Sequence, residues 1–484
     1  MDSKEINFII SAFTEYNPFM KTEDFMEWFA GRKEAHKFKI ELIPFNEMRE
    51  WSFEHSTGNL VHSSGKFFSI EGIWVETNAG PVSTWSQPII NQPEIGILGF
   101  LTKRIDGILY FLMQAKMEPG NINTVQLAPT LQATRSNYSC VHKGKKPHYI
   151  EYFLEKSGSK ILVDTLQSEQ GARFLKKRNR NIIIETSKNI EVLEDYCWLT
   201  LGQLHKLCQH DNLINMDART VLACIPFMTY RISGIRADNL FETIDKRKMV
   251  NVDILDSDTF KSQVLSSALD TERHLKTSDE IISWFTELKI RYELEVERIP
   301  LKYVKNWQCS DNEIFHDEGK YFSVIAVSVE ADNREISSWT QPLVKSQDTG
   351  IVAFIMKTIN GVLHFLIQAK VEPGNFDVIE MAPTVQCITG SYKQDKPLDR
   401  PPFLDFILNL PPDQMRLSTL QSEEGGRFFR ENNQNMLIEV GDDFQVDVPD
   451  NYIWMTMNQI KRFIKYNNFV NVEARCLMSS LGFI

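Results

Sequence analysis

Three polar side chains of different chemistry, Gln114, Lys116 and Glu118, stand two residues apart just after the apolar run from Ile108 to Met113. Residues at this spacing project from one face of an extended chain. An amide, a cation and a carboxylate therefore emerge together at the end of a buried strand. Polar groups in that position need partners, and a bound ligand is one such partner. The alternative is a solvated face of a sheet.

The same trio recurs as Gln368, Lys370 and Glu372, at a constant offset of 254 positions (368 − 114 = 254). Residues 85–121 and 339–375 align without a gap and share 19 identities in 37 positions. The chain is therefore a tandem duplication, and each candidate site has a counterpart.

Two further side chains with acid–base chemistry recur in both modules. His62 and His316 each precede a short apolar run, and Tyr138 and Tyr392 each follow the third predicted strand of their module. A lone histidine is most often a surface or core residue, but its recurrence favours a functional role, since imidazole titrates near neutral pH.

A second shared block runs from Gln167 to Phe174 and from Gln421 to Phe428. A strand is expected to end at Gln167, and Ser168 is expected to cap a short helix that carries Arg173. Arginine forks hold diphosphates well.

The modules differ in their cations near this block. The first has Arg135, Arg173, Lys176, Lys177, Arg178 and Arg180, whereas the second keeps Arg427 and Arg430 and has Thr389, Glu431, Asn432 and Gln434 at the other positions. This favours the first module as the binder of a diphosphate. A solvated face or a subunit contact is the alternative for Lys176–Arg180, and the second module could instead be the active one.

The elements that position these residues are helices and strands in both modules. Thr22 and Ser278 are expected to cap amphipathic helices. Strands are predicted at Gly96–Leu101, Ile108–Lys116 and Thr124–Thr134. Asp106-Gly107, like Asn360-Gly361 in the second module, is a strong hairpin signal.

Each module is expected to close with helices bearing Trp198 or Trp454, followed by Asp217-Ala218-Arg219 or Glu473-Ala474-Arg475. The sequence thus predicts an α+β protein, each module a mixed or antiparallel sheet with packed helices. We place the first module at residues 1–229, a connecting segment at 230–275 with one helix near Phe260–Leu269, and the second module at 276–484.

Composition excludes several classes of protein. The 484 residues carry a net charge of −11 and a pI near 5.5, which argues against a nucleic-acid-binding protein. The seven cysteines form no Cys-x-x-Cys pair. We therefore expect reduced thiols rather than a disulfide framework or a structural zinc site. No signal peptide or membrane span is expected. The dinucleotide, P-loop, zincin and hydrolase motifs do not occur.

These repeated words resemble the nucleoside-diphosphate-hexose 2,3-dehydratase family of deoxysugar biosynthesis. The matching words are Trp-Ser-Gln-Pro (85–88), Gln-Ala-Lys-Met-Glu-Pro-Gly-Asn (114–121), Ala-Pro-Thr-Leu-Gln-Ala-Thr-Arg-Ser-Asn-Tyr (128–138), Gln-Ser-Glu-Gln-Gly-Ala-Arg-Phe-Leu (167–175), Ala-Pro-Thr-Val-Gln-Cys (382–387), Gln-Ser-Glu-Glu-Gly-Gly-Arg-Phe-Phe (421–429) and Val-Asn-Val-Glu-Ala-Arg-Cys-Leu (470–477). The resemblance covers nearly the whole chain.

The resemblance implies a cytoplasmic, homodimeric enzyme of two Nudix-like modules that acts on dTDP-4-keto-6-deoxy-D-glucose. It would eliminate water to give a 2,3-enol and then a 3,4-diketo sugar, without a cofactor, and would hand the product to a 3-ketoreductase. The Nudix hydrolase box, with its magnesium-binding glutamates, does not occur in the sequence. Nudix shape would therefore come without Nudix chemistry.

Elimination requires a base, an oxyanion donor and an acid. We expect Lys116 to stabilise the enolate, His62 or Glu118 to remove the proton, and Tyr138 to protonate the leaving hydroxyl. The expected substrate-binding residues are Trp85, Gln87, Gln114, Gln132, Arg135, Gln167, Glu169, Arg173 and Arg178. Their counterparts in the second module, together with those of the catalytic residues, are His316, Trp339, Gln341, Gln368, Lys370, Glu372, Gln386, Tyr392, Gln421, Glu423, Arg427 and Arg475. No metal ligands are expected.

Two other functions stay open on the sequence. A non-catalytic nucleotide-sugar sensor would bind the same ligand and release no water. A Nudix-type hydrolase would cleave the nucleotide in the presence of magnesium.

Overall fold

The computed structural model describes residues 4–139, 145–154, 158–226, 259–392, 400–411 and 414–481. Cys140, the middle of the basic loop after Arg135, and the connecting segment up to residue 258 lie outside them. Within the described residues, no helix is long and apolar enough to cross a membrane.

Each module is built on a seven-stranded central sheet. In the first, the strand order is Lys160–Ser168, Arg178–Glu185, Gly96–Ile105, Ile108–Met117 and Tyr196–Thr200, with Val125–Ala128 and Leu131–Ala133 paired to the two middle strands. In the second, it is Met415–Ser422, Asn432–Glu439, Gly350–Ile359, Val362–Lys370 and Glu380–Ala382, with Val385–Ile388 and Tyr452–Thr456 also paired to the middle strands. One strand pair in each sheet is parallel and the others are antiparallel, so the mixed sheet is confirmed.

The helices pack on these sheets. Those of the first module are Lys4–Ala12, Thr22–Ala35, Arg135–Tyr138, Ile150–Phe153, Leu201–Leu207 and Met216–Ala223; those that follow are Phe260–Leu269, Ser278–Arg291, Leu404–Leu408, Met457–Ile464 and Val472–Ser479. Short 3-10 turns occupy Phe45–Glu47, Leu301–Tyr303 and Thr389–Tyr392. The helix expected near Phe260–Leu269 is confirmed.

Local signals locate the central strands well. The run Ile108–Met117 forms a strand because it is apolar on both faces, and nearly all of it is buried. The hairpin before it is confirmed: Asp106 and Gly107 both have positive φ, at 51° and 84°, as a tight hairpin turn requires. The third predicted strand, Thr124–Thr134, is two short strands, which Pro129 separates because it cannot donate to the ladder.

Three local expectations are corrected. Lys21 and Thr277, not Thr22 and Ser278, are the N-cap residues, and each predicted cap is the first residue of its helix. Ser168 ends a strand, and the residues after it form a single turn rather than a helix.

Trp198 and Trp454 lie in strands, not helices. Each five-residue run pairs along a buried central strand, Trp198 opposite Leu112 and Trp454 opposite Leu366, and so it is apolar on both faces.

The modules exchange strands. Two smaller five-stranded sheets flank the central ones. Three strands of one are Trp51–Phe53, Leu60–His62 and Thr84–Asn91, and three strands of the other are Trp307–Cys309, Glu313–His316 and Ser338–Ser346. Phe38–Ile43 pairs with Phe322–Ala331 of the second module, and Leu294–Ile299 pairs with Ser69–Thr77 of the first. A division of the chain into two modules therefore separates strands that share a sheet.

Glycines allow the two backbones to meet. Gly120 donates to the Gly425 carbonyl at 2.7 Å, and Gly374 donates to the Gly171 carbonyl at 2.7 Å. A Cβ on Gly120 would lie 1.6 Å from the carbonyl oxygen of Phe428. The Glu-Pro-Gly-Asn word is thus a contact between modules, where only glycine fits.

Buried polar groups reinforce this contact. The Ser168 hydroxyl donates to Glu380 Oε2 at 2.7 Å, and at the equivalent place the Ser422 hydroxyl donates to Gln126 Oε1 at 2.9 Å. The two pairs are related by the duplication: the acceptor is the carboxyl group of Glu380 in one pair and the amide of Gln126 in the other.

Burial raises the pKa of Glu380 to about 7. The folded protein therefore holds a proton there between the unfolded pKa near 4.5 and about 7, and this contribution to stability is lost as the pH rises through that window. Glu380→Gln supplies the amide found in the duplicate pair.

The difference in free energy of unfolding between the Glu380→Gln variant and the unmodified protein should shift in favour of the variant by about 2 kcal/mol between pH 5 and pH 8, because only the unmodified protein loses stability as Glu380 ionises. Denaturant titration at the two pH values measures this difference.

The control is Glu194→Gln, at a side chain that is 90% exposed. It should show no such difference between the two pH values. A pH-independent difference for Glu380→Gln would contradict the raised pKa.

Candidate functional site

A cavity of about 890 Å³ lies where the first central sheet meets both smaller sheets. The first module lines it with residues that include Lys116, Glu118, Gln132, Lys177, Asn179 and Asp217; the second contributes Arg334, Trp339, Gln341, Glu424, Gly426 and Arg427. We call this the first cleft. It belongs to neither module alone.

A buried ion pair lies in the first cleft. Lys116 Nζ is 3.2 Å from Glu118 Oε1, and both side chains are more than 90% buried. Gln132 donates to the same carboxylate oxygen at 3.0 Å. The other oxygen, Glu118 Oε2, is buried and has no hydrogen-bond partner among the described residues. A buried carboxylate oxygen without a donor is open to a ligand or a proton.

A helix supports this pair from one side. Asn215 caps the helix Met216–Ala223 and donates to Gln132 Oε1 at 3.2 Å, which fixes the amide of Gln132 toward Glu118. Asp217, in the first turn of that helix, lines the cleft. Burial raises the pKa of Asp217 well above its usual value.

The second module supplies the opposite wall. Arg427 lies over the ring of Phe68 at 4.1 Å, and its Nε donates to Gln92 Oε1 at 3.1 Å. Gln341 donates to the Gly426 carbonyl at 2.8 Å and accepts from the indole of Trp339. Residues of the first module thus hold the arginine that faces the cleft.

Two buried titratable groups adjoin this wall. Burial lowers the pKa of Lys177 to about 8, and the ammonium donates to the Glu94 carbonyl. Burial and the charge of Glu424 raise the pKa of Glu169 to about 7, although Asn179 donates to its carboxylate at 2.7 Å. Both groups can change charge near neutral pH.

Arg334 reaches the cleft from a loop of the second module. Its Nη1 donates to the carbonyl of Met117, the residue between Lys116 and Glu118, at 3.0 Å. The duplication places Gly80 at the equivalent position (334 − 254 = 80), so this cation has no counterpart.

The counterpart residues form a second cluster. Lys370 Nζ is 3.3 Å from Glu372 Oε1, and Gln386 donates to that oxygen at 3.1 Å. Arg173 and Gln170 approach it from the first module: Gln170 donates to Glu423 at 2.6 Å, and Arg173 lies over the ring of Phe322 at 4.3 Å.

The expected grouping of site residues by module is therefore corrected. Arg173 lies with the carboxylates of the second cluster, and its counterpart Arg427 lies in the first cleft. Trp85 and Gln87 lie with Arg173, because Gln87 accepts from the indole of Trp85 and donates to the Ala172 carbonyl at 3.0 Å. The cause is the contact at Gly120 and Gly374, which brings the Gln-Ser-Glu block of each module to the trio of the other.

The first cleft and the second cluster differ in charge. At four equivalent positions the first cleft has Glu424, Gly426, Lys177 and Arg334, where the second cluster has Gln170, Ala172, Glu431 and Gly80. At these positions the first cleft has two cations and one carboxylate, and the second cluster has one carboxylate and no cation. Glu335, with Pro81 at the equivalent position, adds a further carboxylate to the first cleft. The two additional cations can meet an anionic ligand.

The histidines have partners other than Lys116–Glu118 and Lys370–Glu372, and His62 Nε2 lies 3.4 Å from Glu50 Oε2. His62 lines the cleft, with Ser64 Oγ 2.8 Å from its Nδ1 and Trp51 against its ring edge. Burial lowers the pKa of His62, and the same holds for His316, whose ring contacts Trp307 and Tyr321.

Other predicted residues are not among those that line the cavity. Tyr138 packs against the main hydrophobic core, Tyr392 against the core of the second module, and Arg135 is exposed. Arg178 lies 3.9 Å over the ring of Phe376. Gln114 and Gln368 lie on the same strands as Lys116 and Lys370, before them in sequence, and pair with Ala128 and Ala382.

Three predicted binding residues join the modules instead. Gln167 donates to the Ile464 carbonyl at 2.6 Å, and Gln421 donates to the Cys208 carbonyl at 3.0 Å. Arg475 is fully buried and donates to the Ser168 carbonyl at 2.5 Å. Their donor groups are used within the protein, whereas Gln167 Oε1 and Gln421 Oε1 are buried and have no hydrogen-bond partner among the described residues.

Sequence reasoning did not select Glu424, Asp217 or Arg334. The signal for Glu424 and Arg334 was present in the duplication, as a change from Gln170 and Gly80 within aligned segments. Asp217 was visible only as part of a shared word. What the sequence could not show was that these residues meet Lys116 and Glu118.

The arrangement combines a carboxylate oxygen that has no hydrogen-bond partner among the described residues, an adjacent ammonium, and further acidic groups whose pKa is raised by burial. Such a set can take a proton at one point, stabilise negative charge beside it, and donate a proton at another.

The comparisons with known proteins agree with this chemistry. The model of a family described as NDP-hexose 2,3-dehydratase matches residues 22–225 and again residues 278–481. A protein of Saccharopolyspora spinosa named dTDP-4-dehydro-6-deoxy-alpha-D-glucopyranose 2,3-dehydratase is 44% identical over 98% of the chain and 94% of its own length. Proteins of the same name from Amycolatopsis orientalis and Streptomyces violaceoruber are each 43% identical, over 98% and 95% of the chain and 93% and 96% of their own lengths.

Proposed function

The chain belongs to the NDP-hexose 2,3-dehydratase family, and we propose that it eliminates water from dTDP-4-keto-6-deoxy-D-glucose in the first cleft. The buried pair of Lys116 and Glu118, in which Glu118 Oε2 has no hydrogen-bond partner among the described residues, is the observation that carries the proposal. The enzyme is a carbon–oxygen hydro-lyase, and its product is a 2,3-enol that becomes a 3,4-diketo sugar.

The 4-keto group acidifies the proton on carbon 3 of the hexose. Glu118 Oε2 accepts that proton, and the ammonium of Lys116 stabilises the enolate oxygen, because a fixed cation in a buried site acts strongly on charge that develops there. The enolate then re-forms the ketone, carbons 2 and 3 become doubly bonded, and the hydroxyl on carbon 2 departs. His62, on the cleft wall, remains the alternative base.

The diphosphate needs cations, and the first cleft has more of them than the second cluster. Arg427 and Arg334 of the second module and Lys177 of the first are placed to meet it. Guanidinium groups suit phosphate oxygens because they present paired donors. This supports the first cleft as the reacting one.

Four further features complete the proposal. Each module is Nudix-like in shape, the protein is a homodimer, it works in the cytoplasm, and a 3-ketoreductase consumes its reactive diketone. The described cysteines are free thiols, which is compatible with a reducing compartment.

Paired substitutions across the duplication test the reacting site. Glu118→Gln removes the proton acceptor and should lower kcat at least ~100-fold, the scale of general-base catalysis. Glu372→Gln should change kcat by less than about threefold, because Glu372 lies in the second cluster. Turnover is measured by trapping the diketone with a 3-ketoreductase and NADPH, and proton removal by deuterium uptake at carbon 3.

The unmodified protein is the reference, and unchanged substrate in that reaction would reject the dehydratase function itself. Loss of turnover in Glu372→Gln but not in Glu118→Gln would move the reaction to the second cluster.

Arginine substitutions test the placement of the diphosphate. Arg427→Ala should weaken inhibition of turnover by dTDP by about 1.5–3 kcal/mol, roughly a 10- to 150-fold rise in inhibition constant, since a charged hydrogen bond is lost. Inhibition of turnover reports only the reacting site. Arg173→Ala is the matched variant and should shift the constant by less than about threefold; the opposite result would contradict the crossed arrangement.

A further inference from the structure

Glu424 places a second carboxyl group beside Glu118 in the first cleft. A Cβ built on Gly426 would lie 2.8 Å from Glu424 Oε1 and 3.8 Å from Glu118 Oε1. Both carboxyl groups line the cavity, and both lie close to the space that the absent side chain of Gly426 leaves open. A hexose bound in the cavity beside Gly426 would be within reach of both acidic groups.

The second cluster lacks this arrangement. At the equivalent positions it has Gln170 and Ala172, and the amide of Gln170 donates to Glu423 at 2.6 Å. An amide does not donate a proton to a leaving group, and the methyl group of Ala172 occupies the position that Gly426 leaves empty. Asp217, by contrast, has the acidic counterpart Glu473. Among these acids, Glu424 therefore marks the first cleft.

Charged groups of several elements act on Glu424. Burial is the largest influence and raises its pKa, and Glu118 acts in the same direction, whereas Arg427, Lys177 and Lys116 lower it. Glu169 and Asp217 also face this group, since the pKa of each is raised by the charge of Glu424. Two carboxyl groups in one site, one paired with an ammonium and one among other acids, are suited to opposite proton-transfer roles.

We propose that Glu424 of the second module is the general acid that protonates the departing hydroxyl on carbon 2, while Glu118 of the first module removes the proton from carbon 3. The carbon 3–hydrogen bond breaks and its proton passes to Glu118. Electrons of the enolate then form the carbon 2–carbon 3 double bond, the carbon 2–oxygen bond breaks, and the proton of Glu424 completes a water molecule. The enzyme gains one proton at Glu118 and loses one at Glu424, so no co-reactant is needed. This assignment rests on the proposed dehydratase function.

The position of Tyr138 agrees with this assignment. It was the acid expected from the sequence, yet it packs against the main core and is not among the residues that line the cavity. Glu424 lines the cavity and can supply the proton that Tyr138 was expected to supply.

Glu424→Gln separates the two proton transfers. We expect elimination to fall about 10²- to 10³-fold, while deuterium from solvent still enters carbon 3, because Glu118 is intact. Glu118→Gln should stop both. Glu424→Asp should restore at least tenfold of the elimination lost in Glu424→Gln. Glu431→Gln, a buried glutamate of the second cluster, is the matched control and should eliminate at the wild-type rate.

A substrate that carries fluorine in place of the hydroxyl on carbon 2 gives the sharpest comparison. Fluoride leaves without protonation, so Glu424→Gln should release it at close to the wild-type rate, whereas Glu118→Gln should not. Circular dichroism and calorimetric titration with dTDP check that each variant is folded and binds. Rapid elimination of water by Glu424→Gln, or equal loss with both substrates, would overturn the role of Glu424. Failure of the unmodified protein to release water would instead reject the dehydratase function.

Discussion

The contact of Gly120 with the second module is the constraint on which the cleft depends. Its backbone N–H donates to the Gly425 carbonyl, and its carbonyl accepts from the backbone N–H of Arg430, each at 2.7 Å. A Cβ on Gly120 would collide with the carbonyl of Phe428. Glu118 is two residues before Gly120, and Glu424 is one residue before Gly425. The close approach of two backbones therefore sets two carboxyl groups beside one space. The duplicated contact at Gly374 brings Gln170, an amide, toward Glu372 in the second cluster instead.

Burying this many charges is costly, and the structure offsets the cost by pairing them. Lys116 is the counter-ion of Glu118, and Arg427 and Lys177 stand near Glu424. Where pairing is incomplete, burial shifts the pKa instead, as for Glu169, and the group can remain neutral. The same low polarity that makes these charges costly strengthens their action on a developing enolate. Stability and catalysis thus draw on one set of groups.

Much of the fold could be predicted because its signals are local. The hairpin at Asp106-Gly107 and the buried strand Ile108–Met117 each depend on a few adjacent residues, and the duplication is visible as words that recur along the chain. Lys116 and Glu118 could be chosen as part of a site for the same reason. The exchange of Phe38–Ile43 and Leu294–Ile299 could not, because it depends on contacts about 200 to 300 residues apart that the pattern of neither strand encodes. Any assignment of Arg173 or Glu424 to a cleft required that long-range information.

The central claim is that one reacting site is assembled from both modules. A crystal structure of Glu118→Gln with dTDP-4-keto-6-deoxy-D-glucose tests it most directly. We expect the hexose in the first cleft, with carbon 3 facing residue 118, the hydroxyl on carbon 2 facing Glu424, and the diphosphate at Arg427. A hexose held at Lys370 and Glu372 alone, or one that contacts only residues of the first module, would contradict the account.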